Sequence, residues 1–274
     1  FVCIRNMKFK TYLSLFRIKF ISALQYRTAA LAGISTQLFF GVVFIMVYVA
    51  FYESNNTVGV PMDMKYLVNY LWLNQAFFAL TYIWMRNDDL LSMIKNGNVA
   101  YELCRPVNFY FKWFFTIYGT RIANVTLRFL PVLLISYFLP SPYNLTLPSS
   151  FLNIILFIIS LFISSIIVVS VTMIIHLIVF FTLDEKGIIT FLMVFGEIFA
   201  GGTVPLAFFP NWLRNIANIL PFKFLCDTPF NTYNYGYTYF IKNFGIGILW
   251  CIVLISVGYI LSKKALKCAS VQGG

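Results

Sequence analysis

Three ionisable side chains stand inside long apolar runs: Arg121 and Arg128 in the run 113–139, and Glu197 in the run 188–209. An ionised group at bilayer depth is costly. It usually faces a bundle interior, a water-filled route or an opposite charge. Arg121 and Arg128 are seven residues apart and share one helical face. Arg121, nearer the inner end, can snorkel to the interface, whereas Arg128 is deeper. Glu197 is the only acid well inside a span and is the natural counter-charge for Arg128. A structural Arg–Glu pair and a charge on a substrate route fit this pattern equally. Hydrolytic or metal chemistry finds little support. One histidine, His176, cannot build a Ser/His/Asp set and reads as a packed interhelical donor. The cysteines Cys3, Cys104, Cys226, Cys251 and Cys268 show neither disulfide nor metal spacing, and no metal site is expected. No G-x-x-x-x-G-K-[ST] loop is present to cradle phosphates. The chain is therefore expected not to be an enzyme.

Two punctuated stretches stand out from the apolar runs. The first is Gly196–Phe230, where a run carrying Glu197 loosens at Gly201, Gly202 and Pro205. A short amphipathic helix is expected from Asn211 to Leu220, with Trp212, Leu213, Ile216, Ile219 and Leu220 as its apolar stripe, ended by Pro221. Non-helical backbone at membrane depth is tolerated only where protein or a water-filled cavity covers it. The segment therefore implies a tight bundle or a pathway. The second stretch is the loop 86–112. Asp88 and Asp89 suit the positive end of a short helix, Lys95 its negative end, and Gly97 its termination. Leu90, Leu91 and Ile94 share one face. Two readings stand side by side: an exposed Leu/Ile plug for a groove in a partner protein, or a capped helix resting on the lipid surface. A second turn with Val99, Tyr101 and Leu103 leads to Arg105 and Pro106.

The elements that position these residues follow from composition. The 274 residues are 60% hydrophobic and 11% charged, with mean hydropathy +0.82 and net charge +11. Apolar runs of about 20 residues cross a bilayer as helices. The expected fold is an all-α polytopic membrane protein, a single domain with six spans at about 28–52, 66–85, 113–139, 151–181, 188–209 and 244–262. Residues 8–27 read as a basic amphipathic helix in the membrane interface. Met7 stands as a candidate natural start, and no signal peptide is expected. Most Lys and Arg residues fall in the N-terminal segment, the 86–112 loop, the turn with Lys186 and the tail with Lys263, Lys264 and Lys267. Few (Lys65, Arg214, Lys223, Lys242) fall in the opposite loops. The positive-inside rule then puts both termini in the cytoplasm of a plasma-membrane protein. It also accounts for the net charge without nucleic acid.

The interfacial helix, the six spans, the pattern L-x-R-P-x-N at Leu103–Asn108 and the pattern P-x-x-F-F-P-x-W-L-x-x-I-x-x-x-L-P-F at Pro205–Phe222 resemble the type-2 ABC exporter permeases. The resemblance is to the small six-span bacterial subfamily without a fused ATPase and covers nearly the whole chain. It implies a permease subunit that dimerises, as a homo- or heterodimer. A separate cytosolic ATPase, which binds ATP and Mg, would be contacted by the helix carrying Asp88, Asp89, Leu90, Leu91, Ile94, Lys95 and Gly97 and by Arg105 and Pro106. The fifth span and its broken extension, with Glu197, Gly201, Gly202, Pro205, Trp212 and Pro221, would line the dimer interface and outer gate, with Arg128 a candidate pathway charge. The apolar, aromatic spans suit an amphipathic cargo: drug-like, peptide or lipid-like. The rival readings are an ion-coupled secondary transporter, for which only Glu197 is available as a coupling acid, and a non-transport membrane assembly or sensor subunit.

Overall fold

Four short polar residues set where helices begin. Asp63, Asn87, Asn108 and Ser150 each precede a helix and accept a hydrogen bond from a first-turn N–H. The donors are Lys65 (3.3 Å), Leu90 (2.9 Å), Phe111 (3.3 Å) and Leu152 (3.2 Å). Each such cap satisfies a donor that has no partner within the helix.

The structure is a computed structural model and describes residues 2–54, 60–84, 87–96, 98–99, 102, 106–182 and 185–272. Among these the chain forms α-helices α1 (Val2–Leu24), α2 (Arg27–Ser54), α3 (Met64–Thr81), α4 (Asp88–Lys95), α5 (Phe109–Tyr137), α6 (Phe151–Ile178), α7 (Glu185–Ala200), α8 (Asn211–Ile219), α9 (Asp227–Tyr235) and α10 (Tyr237–Gln272). Short 3-10 turns follow α6 (Val179–Phe181), α7 (Leu206–Phe208) and α8 (Pro221–Phe224). No strand is present among the described residues. The chain is an all-α polytopic membrane protein.

Three stretches are long and apolar enough to cross a membrane: Arg27–Ser54, Phe151–Phe181 and Tyr237–Lys267. Helices α3 and α5 lie beside them, and their apolar character is diluted by Asn69, Asn74 and Gln75 on α3 and by Lys112, Arg121 and Arg128 on α5. Helix boundaries differ from the expected ranges at several places, among them α1, which runs from Val2 to Leu24, and α5, which begins at Phe109. α3 ends at Thr81, α7 ends at Ala200, and α10 extends from Tyr237 to Gln272. Hydropathy marks only the apolar middle of α10, whereas its polar ends are compatible with helix and continue it.

Helix α6 is the centre of the bundle. A helix apolar on every side belongs in a core, and most of α6 is buried, including Ile167, Val168 and Met173. Two of its hydroxyls return to its own backbone, Ser170 to the Ile166 carbonyl (2.8 Å) and Thr172 to that of Val168 (2.7 Å), while Ser164 donates to the Leu225 carbonyl (2.8 Å). Helix α1 packs along the first half of α5. Tyr12 stacks on Phe115 at 5.8 Å and its hydroxyl accepts the Asn108 N–H at 3.0 Å. Gly119 permits the approach, since a Cβ there would lie 2.7 Å from the Phe16 carbonyl oxygen.

Candidate functional site

One end of the candidate site is built on α4. Its apolar side chains Leu90 and Leu91 are buried in this chain's own core, Ile94 is half-buried, and the helix rests near the Val179–Phe181 turn. The expectation of an exposed Leu/Ile plug is therefore corrected. An amphipathic helix covers its apolar stripe wherever apolar surface is nearest, and here that is the end of α6. The face left outside is polar: Asp88, Asp89, Ser92 and Lys95. Lys19 of α1 approaches Asp89 at 3.5 Å and joins α1 to α4. The following loop is anchored by a buried ion pair between Glu102 and Lys112. Pro106 is exposed. Gly97, Leu103 and Arg105 lie outside the described residues.

From α4 a continuous polar chain runs into the bundle. The N-cap residue Asn87 donates its backbone N–H to His176 Nε2 at 3.0 Å. A backbone N–H can only donate, so Nε2 is the unprotonated nitrogen. Nδ1 then carries the proton to the Thr172 carbonyl at 2.6 Å. The Thr172 hydroxyl accepts from Arg121 Nη2 at 3.0 Å. Arg121 Nη1 donates to the carbonyls of Leu80 (3.3 Å) and Tyr82 (2.7 Å). Those carbonyls belong to the last turn of α3, where helical partners run out and the macrodipole is negative. Arg121 is fully buried. It does not snorkel: it is the C-terminal cap of α3. His176 is likewise a connector between α6 and α4.

The other end of the candidate site is built on the break after α7. Gly202 N–H bonds the Glu197 carbonyl (3.4 Å) and Gly201 N–H that of Ile198 (3.2 Å). This is the crossed pair of a Schellman ending, with Gly201 at φ +77°. The carbonyls freed beyond the helix are received by α3: Tyr70 hydroxyl to Gly201 at 2.8 Å and Asn74 amide to Gly202 at 2.6 Å. Gly201 is required by its positive φ, and Gly202 leaves room for the Glu197 side chain. A Cβ on Gly201 would come within 2.8 Å of the Tyr70 hydroxyl, and one on Gly202 would run into the Glu197 carboxylate. Pro205 and Pro221 are buried, and Leu220, ahead of Pro221, is extended at ψ 151°.

Helix α8 turns Leu213, Ala217 and Leu220 toward Phe199 and Leu206. The expected stripe divides: Trp212, Ile216 and Ile219 face outward, Trp212 at 65% exposure. Nine residues give two apolar edges, and the small Ala217 lets one of them approach the chain. Helix α9 is buried from Asp227 to Tyr233. Asp227 accepts from the Tyr239 hydroxyl (2.7 Å) and the Asn231 amide (3.0 Å).

Arg128 and Glu197 are not brought together. Arg128 lies against Gly33 of α2, whose Cβ would be 2.7 Å from its Cζ. Glu197 lies over Gly202 at the end of α7, with no ion pair among the described residues. Sequence reasoning missed Tyr70, Asn74 and the Asn87–His176 contact. Polar residues at 69, 74 and 75 within a span are the signal for the first two, because such side chains hold helices together in lipid.

A model of the ABC-2 family of transporter proteins matches residues 38–273. No curated protein matches the chain.

Proposed function

The chain belongs to the ABC-2 family of transporter proteins, and from that premise we propose that it is the transmembrane permease subunit of an ATP-driven exporter. Families of this kind work with an ABC ATPase component. In this reading the ATPase is a separate cytosolic subunit that binds ATP and Mg. It docks on the charged face Asp88, Asp89, Ser92 and Lys95 together with α1, and both termini are cytoplasmic at the plasma membrane. A second permease, identical or related, completes the transporter. The cargo is amphipathic: drug-like, peptide or lipid-like.

The observation that carries the reading is the Asn87–His176 bond. It ties the start of α4 to a polar chain ending on the α3 terminus. The same α3 carries Tyr70 and Asn74, which hold the broken end of α7. Displacement of α4 by a closing ATPase would thus reach the outer break through one rod. Glu197 and the glycines beside it would form the gate.

Two variants test the reading. Charge reversal at Asp88 and Asp89 is expected to abolish co-purification of the ATPase while membrane insertion persists. His176→Leu is expected to retain co-purification but lower ATP-driven transport by roughly tenfold, the loss of about one hydrogen bond's worth of coupling. Unchanged co-purification in the first variant and unchanged transport in the second would refute the docking face and the relay respectively.

A further inference from the structure

The seam between α2 and α5 holds polar atoms that the mechanism above does not use. Gln37 is 4% exposed, and neither its amide oxygen nor its amide nitrogen has a partner among the described residues. Arg128 Nε is also buried without a partner, and its guanidinium makes no hydrogen bond or ion pair among the described residues. Gly33, Gln37 and Gly41 recur every four residues and share one face of α2. Gly33 receives the Arg128 guanidinium, and Gly41 receives the Trp72 ring, which would lie 2.5 Å from a Cβ there. Gln37 is therefore the residue between the two on that face, one helical turn beyond Gly33. A bilayer offers no bulk water to satisfy such groups.

The chemistry of the set is specific. The guanidinium supplies a permanent positive charge and a fork of donors that matches a phosphate. Gln37 adds one donor and one acceptor. Seven residues on from Gly33 and from Arg128, and so on the same helical faces, Phe40 on α2 and Ile135 on α5 are each about half exposed. Gly33 is six residues into α2 from Arg27, a rise of about 9 Å. A charged head against Arg128 with acyl chains along Phe40 and Ile135 fits this layout.

We propose that Arg128, Gln37 and the notch at Gly33 form a binding site for an anionic phospholipid of the leaflet at the Arg27 end of α2, the phosphate on Arg128 and an ester carbonyl of the lipid, on the acyl side of that phosphate, on the Gln37 amide N–H one helical turn deeper. The site is independent of the ATPase reading, since nothing in it touches α4.

The test uses the full chain in detergent micelles supplemented with phosphatidylglycerol or phosphatidylcholine, with retained lipid counted by native mass spectrometry. Wild type is expected to keep phosphatidylglycerol in preference to phosphatidylcholine. Arg128→Gln and Gln37→Leu are each expected to lower that retention by roughly tenfold, and Arg27→Gln to leave it unchanged. Inorganic phosphate at equal concentration is expected not to displace the lipid. The proposal is overturned if wild type shows no preference, if Arg128→Gln retains phosphatidylglycerol as wild type does, or if inorganic phosphate displaces it. Should Arg128→Gln fail to fold, the near-isosteric Gln37→Leu decides, and wild-type retention by that variant rejects the site.

Discussion

Helices α4 and α8 are two short amphipathic helices at opposite ends of the bundle, and they solve the same packing problem in opposite ways. Helix α4 buries its large side chains, Leu90 and Leu91, and presents carboxylates and a lysine. Helix α8 buries its small one, Ala217, and presents Trp212, Ile216 and Ile219. A helix facing water keeps its apolar area inside, because each buried leucine contributes about 1.5–3 kcal/mol. A helix facing lipid or another subunit gains nothing from hiding that area from its surroundings. The outward faces of the two helices therefore differ in chemistry: charged and polar for α4, apolar for α8. The Lys19–Asp89 contact is too exposed to hold α4 in place by itself, and the buried leucines and the His176 bond anchor the helix.

The largest effect that would break this comparison lies at its two hydrophobic extremes. Leu90→Ala is expected to cost about 2–5 kcal/mol, as a fully buried leucine in a packed site does. Trp212→Ala should stay within about 0.5 kcal/mol, as an exposed substitution does. Thermal unfolding in detergent reads both. A tryptophan loss as large as the leucine loss would mean that α8 is held by its outward face, and the contrast between the ends would fail. Leu91→Ala should behave like Leu90→Ala. Loss of ATPase binding in that variant would reflect unfolding, and only the charged face can separate docking from folding.

The next effect belongs to the break that lets α8 exist. Gly201→Ala places a Cβ at φ +77° and within 2.8 Å of the Tyr70 hydroxyl. The left-handed conformation costs about 1–2 kcal/mol for a residue with a Cβ, and displacement of Tyr70 adds to it. Tyr70→Phe removes the hydroxyl and its bond, leaving the Gly201 carbonyl without that donor. In the Tyr70→Phe background, Gly201→Ala should cost less than in wild type, by a double-mutant cycle on unfolding. Additive costs would mean that the two groups do not meet.

How much of this was legible in the sequence follows from which physical signals are local. Asp88, Asp89 and Lys95 mark the two ends of a short helix by their charge against its dipole, and Gly201, Gly202, Pro205 and Pro221 break helices by backbone chemistry. Those positions were found. The rotation of one helix about its axis against another is not local. Arg128 and Glu197 made a plausible pair by charge and depth, yet Arg128 faces α2 while Glu197 faces the end of its own helix. The same lack of azimuth hid the burial of Leu90 and the outward turn of Trp212. His176 was read as an interhelical donor. It does bridge helices, but its Nε2 accepts, from a backbone N–H that no side-chain pattern announces.

The smallest expected effect is the most informative about Glu197. Its carboxylate lies over Gly202 at the C-terminal end of α7, where the helix dipole is negative, and no cation pairs with it among the described residues. In its ionised form a carboxylate there is disfavoured by about 0.3–1 kcal/mol. Glu197→Gln keeps the shape and removes the charge, so unfolding stability should hold or rise by about that amount. A loss of more than 1 kcal/mol would instead reveal a structural partner for the carboxylate and remove it from the list of candidate gate residues. Held stability with reduced transport would separate the two ends further: the inner end would be ordered by its buried side chains and the outer end by a backbone break, with a charge kept there for passage at no benefit to the fold.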